Sequence, residues 1–434
     1  MAIIKKILTV ILNWEARLIL FKYKPLVVAV TGSVGKTSTK DAIYSVLKHS
    51  GSYVRRNEKS LNSELGIPLT IIGAPNAWKN VSGWLSNIRK GLGLILWKNK
   101  YPSCLILEVG ADHPGEIRAA SKMLKPKIAV LLRVSDVPVH VEFFKSPQQV
   151  FEEKSVLADG LGISGTLVLF GDDKKMSVVS DRTKARNIPV IDFGLAENSS
   201  VRGSDYAVIY DEVGAPSGFS ANINFDGNNI PIKVNGILGE TYLYPLLAAT
   251  AVGKAMNMSA GNIAKGLNEY EAPRGRMNII PGINGSTLID DSYNSSPDAT
   301  RSALETLKSL KTNGRKIAVL GDMMELGVHS VGEHRKIGRE VVGIVNILVT
   351  VGQRSRATAE EALKNGMSAD SVHSFDSSRE AASFVPNLIG AGDIIRVKGS
   401  QSPRTERVSA ALLREPNKSA KLLVRQDKEW LERA

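Results

Sequence analysis

Apolar positions in this chain fall into short β-branched runs separated by longer stretches with helical spacing. The runs lie at 26–31, 104–110, 127–133 and 166–170, and the helical patterns between them at 36–49, 115–124 and 147–159. Unbroken apolar runs of strand length that alternate with amphipathic helices predict a parallel sheet covered on both faces. From about 186 to 236 the pattern changes to short polar–apolar alternation with Gly, Asn and Asp turns, which predicts a small antiparallel addition. Alanine-rich helical spacing follows at 240–256, then a further helix at 260–269. Ala272-Pro273-Arg274-Gly275 reads as a hinge. Beyond it the alternation restarts, with strands at 286–291, 315–320, 345–351 and 393–398 and helices at 297–310, 329–342 and 356–364. The tail from Arg404 reads as helical and basic. The expected fold class is α/β: a phosphate-loop central domain with a mostly parallel sheet, then a C-terminal Rossmann-like α/β domain. The expected division is an amphipathic helix at 1–25, a central domain at 26–272 and a C-terminal domain at 273–434.

Two stretches carry apolar residues that no predicted core claims. Ile3, Ile4, Ile7, Leu8, Ile11 and Leu12 recur at helical spacing with Lys5, Lys6 and Arg17 among them, and Trp84–Trp97 repeats the arrangement. Neither uncharged run approaches the roughly 20 residues that span a bilayer. Glu15 and Arg17 also interrupt the first, so it does not resemble a signal peptide. Two readings stay open for both stretches: contact with a membrane surface, or helices packed on the protein itself.

The sharpest local signal is Thr31-Gly32-Ser33-Val34-Gly35-Lys36-Thr37-Ser38, where a β-branched strand enters a glycine turn and Lys-Thr opens a helix. Backbone N–H groups and a helix N-terminus there suit phosphate oxygens, Lys36 neutralises charge, and the Thr37 hydroxyl suits Mg²⁺. Gly32 and Gly35 permit close approach and positive φ. The motif is the shorter Thr-Gly-x-x-Gly-Lys-Thr form, because Val30 stands where the common phosphate loop has its first glycine.

At 434 residues, with 43% apolar and 23% charged positions, the chain suits a globular protein of two or three domains. Its single cysteine, Cys104, sits in an apolar run, which excludes a disulfide framework and predicts a reducing compartment. The net charge of +13 fits an anionic substrate, a nucleotide or a membrane surface. The basic residues are scattered without aromatic interleaving, so no nucleic-acid partner is expected.

Three further residues sit where ligands bind in open parallel sheets, beyond the carboxyl ends of strands. Glu108 ends one strand, His140 follows the next, and Lys154 lies in the helix after it. Singly each has an ordinary explanation: a strand-end charge, a loop histidine, a solvated lysine. Around one phosphate loop, a carboxylate, an imidazole and a hydroxyl also suit hard cations holding ATP oxygens.

The chain resembles the Mur ligases, the ATP-dependent amide-bond-forming family of peptidoglycan synthesis. The resemblance runs from about 26 to 410. It is carried by Thr31–Thr37, Asn62–Pro68, Glu108–Ile117, Asp290–Pro297, Leu320–Gly327 and Lys398–Ser400. It is strongest to the branch that adds D-alanyl-D-alanine to a UDP-muramyl tripeptide. That branch carries Gly-Asp-Met-x-Glu-Leu-Gly and Asp-Asp-x-Tyr-Asn-x-x-Pro, and the Asp-Asn-Pro-Arg signature of diamino-acid-adding ligases is absent. The resemblance implies that Lys36 grips ATP phosphates, that Thr37 and Glu108 hold one Mg²⁺, and that His140 ligates a second. Lys154 matches the lysine that is carbamoylated in the family. Arg276 matches an arginine that reaches phosphate, and Asp290 or Asp291 the ribose-binding acid, with Asn294 on the same loop. Asn62, Ser63, Lys398, Ser400 and Arg404 match positions around the acceptor. The implied chemistry is carboxylate activation as an acyl phosphate, then amine attack, by a cytoplasmic enzyme expected to be a monomer.

Two departures from the family affect the substrate expectations. About 25 residues precede the nucleotide strand, too few for a core that would hold the uridine end of the substrate. Either that end is gripped elsewhere, with the tryptophan-bearing insertion at 75–101 as a candidate, or the acceptor lacks it; an amphipathic surface at 75–101 would suit a lipid-linked acceptor. Thr241, Tyr242 and Pro245 replace the family's adenine-side residues. Asp112 and Ser63 each stand for an asparagine. The alternatives are a Mur-type ligase with another acceptor, such as a glutamate-adding or cell-surface polymer enzyme, and a non-catalytic nucleotide-binding protein at the membrane.

Overall fold

The computed structural model describes residues 2–58, 65–78, 80–138 and 140–432. The expected acceptor residues Asn62 and Ser63 lie outside them. A helix, α1 (Ala2–Tyr23), leads into the first sheet. Its strands are β1 (Leu26–Thr31), β2 (Val54–Arg56), β3 (Cys104–Glu108), β4 (Ile128–Leu131), β5 (Thr166–Phe170), β6 (Val190–Gly194), β7 (Val201–Tyr210), β8 (Pro216–Phe225) and β9 (Asn228–Asn235). The helices between and after them are α2 (Lys36–Leu47), α3 (Gly66–Ile72), α4 (Val81–Leu96), α5 (Glu116–Leu124), α6 (Pro147–Asp159), α7 (Ser177–Lys184), α8 (Leu243–Ala255) and α9 (Ala260–Asn268).

The strand order is β2-β3-β1-β4-β5-β6-β7-β8-β9. Pairing is parallel through β6 and β7, and antiparallel only between β7, β8 and β9. The antiparallel part of the region from 186 to 236 is the β7–β9 meander. It extends the main sheet, while β6 before it continues the parallel strands. Local alternation shows a strand with one wet face, but nothing local says which edge it joins.

Alternate residues of β1 face opposite cores. Val28 and Val30 pack with α2, α8 and α9, while Val27 and Ala29 share a cluster with Leu12, Ala16 and Ile19 of α1 and with Ile67, Leu69 and Ile71 of α3. So α1 docks on the protein through one face. Ile7, Val10, Trp14 and Phe21 on its other side remain exposed, as do Val81, Leu85, Leu92, Leu96 and Trp97 along or just after α4. Among the described residues no helix is long and apolar enough to cross a membrane.

The second sheet holds β10 (Asn278–Pro281), β11 (Thr287–Asp291), β12 (Lys316–Gly321), β13 (Ile347–Val351), β14 (Val372–Phe375) and β15 (Ile394–Lys398). Its order is β10-β11-β15-β12-β13-β14, and only β10 runs antiparallel. It is flanked by α10 (Pro297–Ser309), α11 (Ser330–Glu340), α12 (Arg356–Lys364), α13 (Ser378–Phe384) and α14 (Glu406–Ala411). After α14 the tail runs through a 3-10 turn (Pro416–Lys418) and two short helices (Ser419–Leu422 and Lys428–Leu431), in keeping with the helical end expected from the sequence.

Candidate active site

The chain leaves β1 toward opposite sides of the sheet, since β3 and β4 flank it. That reversal opens a crevice at the strands' carboxyl ends. The turn from Thr31 to Lys36 occupies it. Gly35 caps α2 with φ 83°. Gly32 has φ 152°, and a Cβ there would stand 2.6 Å from Leu132 Cβ. The loop can lie against the exit of β4 only without a side chain at this position. Ser33 N donates to Arg133 O at 2.9 Å and anchors the turn. Lys36 Nζ donates to Gly32 O at 2.9 Å, curled over the loop. Burial pulls its pKa below the ordinary lysine value, against the opposing pull of Glu108.

A cleft runs from this loop to the second sheet. Val34, Gly35 and Ser38 line it on one side, and Arg276, Asp291 and Lys398 on the other. At its far end Phe170, Phe193, Tyr244, Thr241 and Pro245 form a largely aromatic wall. The Phe170 and Tyr244 rings meet edge to face with centroids 4.9 Å apart. The Tyr244 hydroxyl donates to Asp172 Oδ2 at 2.9 Å, which fixes the ring. Sequence reasoning missed these aromatics. The available signal was Phe170 closing a strand at the carboxyl end, where ligands bind.

The Thr37 hydroxyl donates to Glu108 Oε2 at 3.1 Å. Asn57 holds Glu108 in place by accepting its backbone N–H at 3.0 Å. His140, at the start of a short turn after β4, has left-handed backbone with φ 69°. Its Nδ1 lies 3.1 Å from Glu325 Oε2 and its Nε2 3.6 Å from Asp112 Oδ1. Burial lowers its pKa to about 4 against the pull of Asp112, with Lys36 and Lys154 adding to the drop. The ring is therefore neutral at pH 7 and has a lone pair to give. Lys154 is buried on α6, and burial, reinforced by Lys36, lowers its pKa to about 7. Its neighbour Glu153 accepts from Gly115 N at 2.9 Å and Ile117 N at 2.8 Å, tying α6 to the loop after β3.

Among the described residues no three His, Cys, Asp or Glu converge into a self-contained metal site. The donors stand instead in pairs beside the phosphate loop. That arrangement fits Mg²⁺, which takes one or two protein oxygens and draws its other ligands from phosphate and water.

β11 separates the two adjacent acids. Asp291 lines the cleft and accepts from Arg396 at 3.1 Å and Lys398 at 2.8 Å. Asp290 points into the fold, where Ser409 donates to it at 2.6 Å and burial raises its pKa to about 6. Lys398 also donates to Asn294 O at 3.0 Å. Ser400 donates to Ser295 O at 3.3 Å and accepts from Met324 N at 3.0 Å. Arg404 is paired with Glu406 and reaches Trp430 O, so it braces the C-terminal tail. Arg276 stacks on Tyr293 at 4.2 Å. Glu325 lies in the Gly-Asp-Met-x-Glu-Leu-Gly stretch, to which sequence reasoning assigns no role, and the fold brings it to His140.

Residues 30–253 match the Mur ligase middle domain, and residues 275–401 the Mur ligase glutamate ligase domain. A UDP-N-acetylmuramoyl-tripeptide–D-alanyl-D-alanine ligase of Mycobacterium leprae is 30% identical over 396 residues, covering 87% of this chain and 71% of that protein. The Bacillus subtilis ligase of the same name is 27% identical, covering 90% and 76%. The fold matches the MurF ligase of Thermotoga maritima, solved with ADP, with a TM-score of 0.75 and 24% identity, covering 95% of this chain and 84% of that one. The two matched domains account for most of the sequence, and this chain belongs to the Mur ligase family.

Proposed function

We propose that the protein is an ATP-dependent amide ligase of peptidoglycan synthesis that joins D-alanyl-D-alanine to a muramyl-peptide acceptor. The acceptor carboxylate attacks the γ-phosphorus of ATP, ADP leaves, and an acyl phosphate results. The dipeptide amine then attacks the acyl carbon, and phosphate departs with the bonding electrons while the amine loses a proton. Both steps gather negative charge, so cations and positioning supply most of the rate.

Lys36 and Arg276 hold the phosphates, with Thr31, Gly32, Ser33, Val34, Gly35 and Ser38 forming the cradle. Asp291, which faces the cleft, takes the ribose in preference to Asp290. Phe170 and Tyr244 flank the base. Thr37 and Glu108 would hold one Mg²⁺ and His140 a second, and these ions would neutralise phosphate oxygens. Lys154, half neutral near pH 7, adds through its free amine to CO₂ and releases a proton, giving a carbamate beside His140. Lys398, Ser400 and Asn294 shape the acceptor face, while Arg404 supports it from behind. The working division is a helix at 1–25, a nucleotide domain at 26–272 and a closing domain at 273–434, in a cytoplasmic monomer.

The exposed apolar residues of α1 and α4, with nearby lysines, suit contact with an anionic membrane surface. Flotation with anionic liposomes should fall for a Phe21→Ala/Trp97→Ala double variant, and equal flotation would remove this contact.

One observation carries the ligase reading: a phosphate loop, Thr37–Glu108, His140 and a buried amine at Lys154 meet in one crevice. A plain NTPase has no use for that amine. ADP release should require both UDP-muramyl tripeptide and D-alanyl-D-alanine, each omitted in turn. Release that ignores both would overturn it.

A further inference from the structure

A second hollow, of about 470 Å³, lies on the other side of the loop that follows β3. Val10, Asn13, Trp14 and Arg17 of α1 form one wall, Ile67 and Pro68 of α3 another, and Gly110, Ala119, Ala120 and Met123 the floor and far side. Its volume falls within the range of small-molecule sites, about 300–1,000 Å³.

We propose that this hollow binds the glycosyl-phosphate end of the acceptor, with a sugar ring on Trp14 and phosphate oxygens on Arg17. The inference rests on the ligase reading and names where that reaction's acceptor is anchored.

The chemistry of the wall points to such a ligand. Residues 10, 13, 14 and 17 share one face of α1 by helical spacing. They present an indole that is 54% exposed, a side-chain amide and a guanidinium. Arg17 has no ion-pair partner among the described residues. An indole suits the apolar face of a pyranose, and a guanidinium suits phosphate oxygens in a fork. Gly110, Ala119 and Ala120 leave space where larger side chains would fill it.

The wall is also held in place. Leu12, Ala16 and Ile19 are fully buried, and Lys22 Nζ donates to Leu94 O at 2.8 Å and Ile95 O at 2.9 Å. The hollow leads toward the chemistry. Glu116, which also lines the hollow, is engaged by Asp112 N at 2.8 Å and His113 N at 3.3 Å, and Asp112 faces His140. A ligand anchored on α1 would cross the 110–116 loop to place its peptide end at the metal-binding residues.

A nucleotide-linked sugar and a polyprenyl-linked sugar share this glycosyl-phosphate chemistry. Calorimetric titration of the full chain would use three probes: UDP-muramyl tripeptide, polyprenyl-diphosphate-linked muramyl tripeptide in detergent micelles, and phosphate-free muramyl tripeptide. Both phosphate-bearing probes, or one of them, should bind about tenfold tighter than the phosphate-free one. The tighter arm identifies the source. Arg17→Ala should erase that preference and leave phosphate-free binding unchanged. Trp14→Ala should weaken all three severalfold. Ala120→Leu, which fills the hollow without touching Arg17, should do likewise. In turnover, Arg17→Ala should raise KM about tenfold at constant kcat. Equal affinity of wild type for all three probes, no binding of any, or an Arg17→Ala variant that keeps the preference would each overturn the proposal. Arg17-dependent binding without ADP release would instead sink the ligase reading and leave the hollow's ligand standing.

Discussion

At the scale of single residues, the site depends on two groups held away from their ordinary charge. His140 is neutral and Lys154 half neutral near pH 7, both chiefly through burial. A protonated amine cannot add to CO₂, so activity should fall as pH drops through about 7. Depleting bicarbonate should slow ADP release by wild type, and adding it back should restore the rate. Lys154→Ala should lose turnover by a factor of at least about 100, with bicarbonate without effect. The same shift acts on stability. The folded pKa of about 7 lies below the unfolded 10.5, so the native state holds fewer protons between those values. The stability contribution of Lys154 therefore rises with pH across that window and is least favourable below it.

At the scale of elements, α1 and α4 meet around an unusual contact. Glu15 is fully buried, its two carboxylate oxygens have no hydrogen-bond partner, and burial raises its pKa to about 7. A Cβ on Gly91 of α4 would lie 2.2 Å from Glu15 Oε2, so an added methyl there would push the carboxyl aside. The folded value exceeds the ordinary 4.5, so the native state holds the extra proton. Stability from this group is fully present below about 4.5 and declines as pH rises toward 7. Glu15→Gln should therefore raise stability at pH 8 by up to about 3 kcal/mol and change it little at pH 4. Urea unfolding at the two pH values measures this, and an equal effect at both would show that ionisation is not the cause. Gly91→Ala should displace the Glu15 carboxyl and lower the melting temperature by a few degrees at most.

Across the whole molecule, the two sheet units meet through apolar packing of Leu238, Val208 and Tyr242 on the second core and through polar contacts at the crevice. Glu325 reaches His140 at 3.1 Å, and Arg133 stands 3.6 Å from Asp298. Gly327 also packs on Glu142, where an added Cβ would come within 3.1 Å of Glu142 Cβ. Polar contacts of this kind at the crevice mouth can break and re-form as the units open and close around substrate. Glu325→Ala, which removes one bridge and leaves the phosphate loop intact, should lower kcat about tenfold with nucleotide affinity unchanged. ADP-release kinetics beside nucleotide titration would separate the two, and a matching loss of affinity would mean that Glu325 serves the nucleotide site itself.

Sequence alone determined the parallel strands, the phosphate turn and the acid at the end of β3, because each is written in a few neighbouring residues. A β-branched run entering Gly-x-x-Gly-Lys-Thr has one common structural outcome, and Glu108 sits where such a sheet binds ligands. Other features needed the tertiary structure, because they depend on residues far apart in the chain. Which of Asp290 and Asp291 faces the cleft was set by the register of β11 against β15. Phe170 and Tyr244 became one wall only when β5 and α8 packed together. The place of β6–β9 in the main sheet was an edge choice that no local pattern encodes. The first helix shows the same limit: its apolar residues recur at helical spacing, but only packing against α3, α4 and the sheet decided which of them are buried and which stay exposed.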